Sequence, residues 1–180
     1  MIHKEPRIDL VVFPESVEIR ALLSKFPEVQ HILFSKGIEG RFINALYKAD
    51  RDLTMVNVPP CGRLVRFGTS SHFSDGLYIN PDTGGIVEVG QGRVRLLVNS
   101  SLKQFGQTVA AIVERFPFYS RTSDYDVNDE EVAVAVRDLS AIISRIDPPA
   151  IIEDRFWSTF VDDVAIGDFA TEDVVSQREQ

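Results

Sequence analysis

The chain has 180 residues, of which 44% are hydrophobic and 26% charged, the proportions of a globular protein. This length supports one domain without disulfide or metal support, and a single cysteine, Cys61 in a predicted turn, excludes an internal disulfide framework and a Cys-rich zinc site. The formal net charge of −8 argues against a nucleic-acid binder, which needs a basic surface, and favours either a basic partner or simple solubility.

The start of the chain has no pattern typical of export or membrane insertion. Residues 1–7 are polar, and the apolar run that follows at residues 10–13 is too short for a signal-peptide core or a membrane span. We therefore expect a soluble, cytoplasmic protein that does not associate with membranes.

Residues 1–60 are the part of the chain whose elements the sequence defines least. An apolar run bounded by prolines predicts a short strand over residues 8–13. Pro14 and the acidic residues after it predict a helix as far as Leu23, because the first turn of a helix favours both. Residues 42–47 fit either a strand or a helix.

The middle of the chain predicts an antiparallel meander over about residues 63–98. Short apolar or alternating segments are separated by turns rich in Gly and Pro, which is the pattern of consecutive hairpins. The turn at residues 80–85, Asn-Pro-Asp-Thr-Gly-Gly, places Pro and Gly at positions that demand their special φ angles. The predicted strands cover residues 63–67, 76–80, 86–89 and 94–98.

After residue 98 the apolar spacing changes to the helical period and predicts three helices. Ser101 and Gln104 have the spacing of a capping box at the start of the first helix, which Pro117 ends. Asn128 and Glu131 offer a cap for the second helix. The stripes expected to face the core are Leu102, Phe105, Val109, Ile112, Val113 and Phe116 in the first helix, and Val132, Val136, Leu139, Ile143 and Ile146 in the second.

The second helix is expected to stop at residues 147–149, Asp-Pro-Pro, and a third to run from about Glu153 to Val164. A meander followed by helices that cover one face of an antiparallel-rich central sheet is an α+β fold. We expect a single domain over residues 1–165 and an acidic, frayed tail over residues 166–180.

Acidic residues are concentrated at the C-terminal end of the chain. Residues 151–180 contain eight acidic and two basic residues, a net −6 of the total −8. This excess is either a solvated tail or a surface that steers a basic partner toward the protein.

The residue types that carry catalysis or bind metals form no recognisable motif. His3, His31 and His72 are far apart in the chain and are interpreted as surface or structural residues. Asp124 and Asp126 precede a predicted helix, where carboxylates stabilise the N-terminus, so capping explains this pair better than a metal does. We therefore expect no catalytic residue, no cofactor and no metal.

One ordered set of short motifs resembles that of a known family. The set begins with Phe67-Gly68, continues with LYINPDTG at residues 77–84 and IVEV at residues 86–89, and reaches VNSSLKQF at residues 98–105. The pattern IDPPA at residues 146–150, followed by Phe156-Trp157, closes it. The set resembles the SUKH superfamily, named from Suppressor-of-fused, Syd and a fungal cell-wall regulator, and within it the fourth bacterial subfamily of toxin-immunity proteins. The resemblance covers about residues 60–165 and the N-terminal third only weakly.

The resemblance implies an immunity protein, not an enzyme. Such a protein neutralises a secreted or contact-dependent toxin by direct protein–protein binding, and we expect it to act as a monomer or weak dimer. The toxin domains are often nucleases or nucleic-acid deaminases, whose substrate-binding surfaces are basic and therefore suit an acidic partner. The family carries no invariant catalytic set that transfers to this chain.

Two predicted loops carry aromatic and acidic residues typical of an interface hot spot. We expect the toxin to contact these loops, although each residue is equally well interpreted as part of a polar connector. The candidate contact residues are His72, Phe73 and Asp75 in the first loop, and Tyr119, Asp124, Tyr125 and Asp126 in the second.

Two other functions are compatible with the same sequence. One is a non-catalytic scaffold or regulatory module that binds a host protein. The other is an enzyme whose site has no sequence motif. A deep pocket lined by convergent carboxylates or histidines would favour the enzyme, and a shallow groove would count against it.

Overall fold

The computed structural model describes residues 9–42, 47–70, 76–119 and 128–167. Its N-terminal part contains a two-stranded antiparallel sheet, with two short helices and a π-helical turn between the strands in the chain. In chain order these elements are β1 (Leu10–Val11), α1 (Val17–Leu22), α2 (Pro27–His31), the π-helical turn Ile32–Lys36 and β2 (Ile38–Glu39).

The strand and the helix predicted near the start of the described chain are both present and both shorter than predicted. α1 follows Ser16, whose Oγ accepts a hydrogen bond from the Ile19 N–H at 3.3 Å. α2 and the π-helical turn were not predicted, because elements of five residues contain too few apolar positions to display a period.

Six antiparallel strands form the main sheet, and their order in space follows their order in the chain. Four of them, β5 to β8, confirm the meander predicted over residues 63–98. The six strands are β3 (Arg41–Phe42), β4 (Tyr47–Val58), β5 (Gly62–Ser70), β6 (Gly76–Ile79), β7 (Ile86–Gly90) and β8 (Arg93–Asn99). Gly40 joins the two sheets, because its N–H donates to the Asp9 carbonyl and its own carbonyl accepts from the Ala49 N–H, each at 2.8 Å.

Sequence reasoning missed most of β4, which at 12 residues is longer than the other described strands. Its register with β5 shifts between Ala49 and Thr54, so residues 50–53 form a bulge opposite Phe67. Within this bulge, Asp50 Oδ2 lies 2.9 Å from Arg66 Nε in an ion pair. Strands are predicted from the alternation of apolar and polar residues, and a bulge interrupts that alternation. The sequence therefore does not predict most of β4.

Three longer helices follow the sheet, as predicted. They are α3 (Leu102–Arg115), α4 (Asp129–Ile146) and α5 (Phe156–Ala165), with the 3-10 turn Pro148–Ile151 between the last two. Both predicted N-cap residues are confirmed: the Ser101 Oγ accepts from the Gln104 N–H at 3.2 Å, and the Asn128 Oδ1 accepts from two N–H groups of the first turn of α4. The Gln104 side chain, predicted to complete a capping box, instead donates to the Ile146 carbonyl.

α5 begins three residues later than the predicted Glu153. Asp154 has a positive φ of 59°, which no helix residue adopts, and Arg155 is extended. The Arg155 N–H donates to the Ser158 Oγ at 2.9 Å, which fixes the helix start at Phe156.

The fold is α+β, with the helices packed on one face of the main sheet. The Phe105 ring of α3 meets the rings of Tyr47 and Phe67 edge to face, at centroid distances of 5.1 Å and 5.6 Å. Trp157 of α5 lies 6.3 Å from the same ring. Because strand side chains alternate between faces, a second, smaller buried cluster lies on the opposite face of the sheet. Its members are Val58, Leu64, Tyr78, Val87 and Val89.

No helix within the described ranges is long and apolar enough to cross a lipid bilayer. α5 ends at Ala165, and residues 168–180 of the predicted tail lie outside the described part of the chain.

Candidate functional site

Two of the motifs that carry the family resemblance, at residues 98–105 and 146–150, meet at the buried carboxylate of Asp147. Its Oδ2 accepts hydrogen bonds from the Asn99 side-chain amide at 3.0 Å and from the Ser100 N–H at 2.6 Å. Its Oδ1 accepts from the Ser100 hydroxyl at 2.7 Å. Asp147 directly follows α4 and Asn99 ends β8, so this contact fixes the end of a helix to the end of a strand.

The same cluster extends into the other two long helices. The Asn99 Oδ1 accepts from the Trp157 indole N–H at 2.8 Å, and the Gln104 side-chain amide donates to the Ile146 carbonyl at 3.2 Å. Asn99, Asp147 and Trp157 are fully buried. These motif residues therefore position the helical layer on the sheet.

Six of the seven predicted contact residues lie outside the described residues. They fall in the gaps at residues 71–75 and 120–127, and their assignment stays a prediction. They are His72, Phe73, Asp75, Asp124, Tyr125 and Asp126.

Tyr119 was predicted as an exposed contact residue, and the structure corrects this assignment. Its side chain is only 3% exposed, and its hydroxyl donates to the Val164 carbonyl of α5 at 2.9 Å. The residue follows α3 and packs beneath α5, so it belongs to the hydrophobic core. The polar residues that follow Tyr119 in the sequence suggested an exposed loop. The tyrosine can be buried because its hydroxyl has a hydrogen-bond acceptor inside the fold, the Val164 carbonyl.

A groove of about 490 Å³ runs along α1, and we call it the α1 groove. Its volume is in the range of small-molecule sites, but its lining has no dominant charge or chemistry. It contains two acidic, two basic and several small or apolar side chains, namely Glu18, Ala21, Leu22, Ser24, Lys25, Arg63, Pro81 and Asp82.

A smaller cavity of about 120 Å³ lies between the end of α3 and the middle of α4, and we call it the α3–α4 cleft. Its lining is mainly apolar, with Arg115 and Asp138 at its margin. The apolar lining residues are Phe118, Val134, Ala135 and Leu139. Val134 is 41% exposed and lies off the apolar stripe predicted for α4. An apolar residue outside that stripe is the one sequence signal from which a surface feature could have been predicted here.

Acidic side chains dominate the layer that contains α4 and α5. Residues 128–167 include nine acidic and three basic residues, whereas the other described residues include ten and twelve. Only two of the basic residues in this layer, Arg137 and Arg145, are exposed. The exposed acidic residues of the layer are Asp129, Glu130, Glu131, Asp138, Glu153, Asp154 and Asp162. The acidic excess therefore belongs to a folded surface as well as to the predicted tail.

Two titratable groups near the junction of the two sheets have displaced pKa values. Burial raises the pKa of the Glu39 carboxyl, although a backbone hydrogen bond of Glu39 and the Lys36 ammonium lower it in part. Burial raises the pKa of the Tyr47 hydroxyl well above its ordinary range, with further contributions from the Glu39 and Asp50 carboxylates. Neither residue lines the α1 groove or the α3–α4 cleft.

Within the described ranges, no group of three or more His, Cys, Asp or Glu side chains is arranged to hold a metal ion. His31 is exposed at the end of α2, and Cys61 is half-buried in the turn between β4 and β5. His3 and the Asp124–Asp126 pair lie outside the described residues.

The comparisons with known proteins identify a family. The family model described as SUKH-4 immunity protein matches residues 13–163, which is 151 of the 180 residues. The match extends into the N-terminal third, beyond the stretch that carried the resemblance. No curated protein and no solved structure matches the chain.

Proposed function

We propose that this chain, which belongs to the SUKH-4 immunity protein family, neutralises a cognate bacterial toxin by binding its toxic domain directly. The family match over residues 13–163 is the observation that carries the proposal. The protein acts by occupying a surface of the toxin and performs no chemistry on it. We expect a one-to-one complex in the cytoplasm.

The charge distribution supports a basic partner. Seven exposed acidic side chains on the layer of α4 and α5 face solvent together with only two exposed basic ones. A nuclease or nucleic-acid deaminase needs a basic surface to hold its substrate, and an acidic protein both reaches such a surface faster and covers it. We therefore assign the toxin to one of these two classes.

The architecture also supports a protein partner over a small-molecule substrate. The motif residues Asn99, Asp147 and Trp157 are engaged in holding the fold, and the larger α1 groove has a lining of mixed charge. Affinity for a protein arises from a broad surface with a few anchoring side chains and needs no deep pocket. The six predicted contact residues in the gaps at 71–75 and 120–127 belong to this proposal.

Co-expression tests the proposal. Each toxin domain encoded beside the gene is expressed in bacteria with and without this chain, and cell survival is measured together with recovery of a complex by size-exclusion chromatography. We expect survival and a one-to-one complex for one of these domains. Failure with every neighbouring domain, although the chain is folded, would transfer the assignment to a scaffold or regulatory module with a host-protein partner.

A further inference from the structure

The α3–α4 cleft combines an apolar cavity with an acidic surround. Val134 lines the cleft on its α4 side and Phe118 on the side of the segment after α3. On a helix, residues three and four positions apart are neighbours, so Val134 is surrounded by exposed Glu130, Glu131 and Asp138 and by one basic residue, Arg137. Arg115, at the end of α3, also lines the cleft, so its rim has three acidic and two basic side chains within the acidic layer of α4 and α5.

The size of the cleft limits what it can accept. A volume of about 120 Å³ is well below the range of roughly 300–1,000 Å³ typical of small-molecule sites. It corresponds to about four water molecules, enough for a single aliphatic side chain. Pockets that receive one side chain within a polar rim are typical of the centre of a protein–protein interface.

We propose that the α3–α4 cleft is the anchor point for the toxin, and that it receives one apolar side chain projecting from a basic surface of the toxin domain. This inference rests on the proposed function and adds the place of contact. Charge complementarity selects the occupant, because the acidic layer around the cleft attracts Lys and Arg side chains. A second copy of this chain would bring the same acidic layer into contact with itself, which is unfavourable.

Replacing Val134 by Lys tests the anchor. Lys is a better helix former than Val, so an exposed position of α4 tolerates it, while its stem covers the cleft and its charge opposes a basic partner. The matched control is Val17→Lys on α1, where the side chain is 85% exposed. The dissociation constant of each variant with the toxin domain is measured by calorimetry, and folding is checked by thermal melting.

We expect Val134→Lys to weaken binding by about 30-fold, the effect of losing one interface hot spot. Val17→Lys should change affinity by less than about threefold, as a neutral surface position does. Should Val134→Lys fail to fold, Val134→Ala keeps the helix and is expected to weaken binding by about fivefold, because it removes two methyl groups from the lining of the cleft.

Three results would overturn the inference. The first is a wild-type affinity retained by the folded Val134→Lys variant, which leaves the proposed function intact and moves the anchor elsewhere. The second is an equal loss for Val17→Lys, which would place the toxin near the α1 groove or reveal a general charge effect. The third is a dimer of the wild-type chain that Val134→Lys dissociates. In contrast, a wild-type chain that binds no toxin domain contradicts the proposed function itself.

Discussion

The carboxylate of Asp147 accepts a hydrogen bond at 3.0 Å from the side chain of Asn99, a residue 48 positions earlier in the chain. The contact fixes the end of α4 to the end of β8, and Trp157 of α5 donates to the other side of the same Asn99 amide. Three separate motifs of the sequence therefore form one buried polar cluster. Any other placement of the helices would leave one of these buried polar groups without a hydrogen-bond partner, which costs free energy. The cluster therefore specifies how the helical layer packs on the sheet.

Substituting Asp147 by Ala should lower the free energy of unfolding by about 3 kcal/mol, because the Asn99 amide and the Ser100 N–H lose their acceptor. Urea denaturation measures the loss. Asp162→Ala, at an exposed position of α5, is the control and should change stability by less than about 0.5 kcal/mol. Equal stability of the two variants would mean that the cluster does not hold the layers together.

Two buried tyrosines should respond in opposite ways to removal of the hydroxyl. Among the described residues, the Tyr47 hydroxyl has no hydrogen-bond partner, so Tyr47→Phe should be neutral or stabilising by about 1 kcal/mol. Tyr119→Phe loses the bond to the Val164 carbonyl and should destabilise by about 1 kcal/mol. Melting temperatures of the two variants decide the point, and a clear destabilisation by Tyr47→Phe would contradict it.

Gly68 is required by a close approach between β5 and the Tyr47 ring. A Cβ at this position would lie 2.5 Å from Tyr47 Cε2 and 2.8 Å from the Lys48 carbonyl oxygen. Gly68→Ala should therefore destabilise by about 2 kcal/mol or more. In Gly106→Ala the new methyl meets only the flexible end of Glu39 at 3.3 Å, and the gain in helix propensity should make it neutral or slightly stabilising. Both variants are compared by urea denaturation, and equal losses would refute this packing argument.

Glu39 should make stability depend on pH. Its carboxyl titrates near 4.5 when the chain is unfolded, whereas burial raises its pKa in the folded protein. The folded state therefore binds more protons between these two values, and stability falls as the pH rises through that window. Glu39→Gln should be more stable than the wild type at pH 7, and its advantage should vanish below pH 4. Unfolding at several pH values measures this difference, and an advantage independent of pH would contradict it.

The sequence predicts the sheet and the long helices because each contains its own periodic pattern. β5 to β8 have apolar residues between turn-forming ones, α3 to α5 have apolar stripes, and α3 and α4 also have recognisable caps. The pattern fails where geometry departs from regularity. The bulge of β4 opposite Phe67 breaks the alternation, and the positive φ of Asp154 delays α5.

The candidate site is less accessible to sequence reasoning, because it depends on which side chains the fold brings together. Tyr119 is of a residue type common at interfaces, yet it is buried under α5. Its hydroxyl donates to the carbonyl of Val164, a residue 45 positions later in the chain. Val134 is an apolar residue on the solvent side of a helix. Its place in a cleft becomes visible only in the fold, where Phe118 lines the same cavity. Pairing of this kind leaves no mark in the local sequence.

A titration of toxin activity with purified chain tests the central claim most directly. The toxin domain is held at a concentration well above the dissociation constant, and its nuclease or deaminase activity is measured as this chain is added. We predict a linear decrease that reaches zero at one equivalent. Full activity at a large excess of folded chain would contradict immunity by binding, and complete inactivation by a small fraction of an equivalent would indicate catalysis instead.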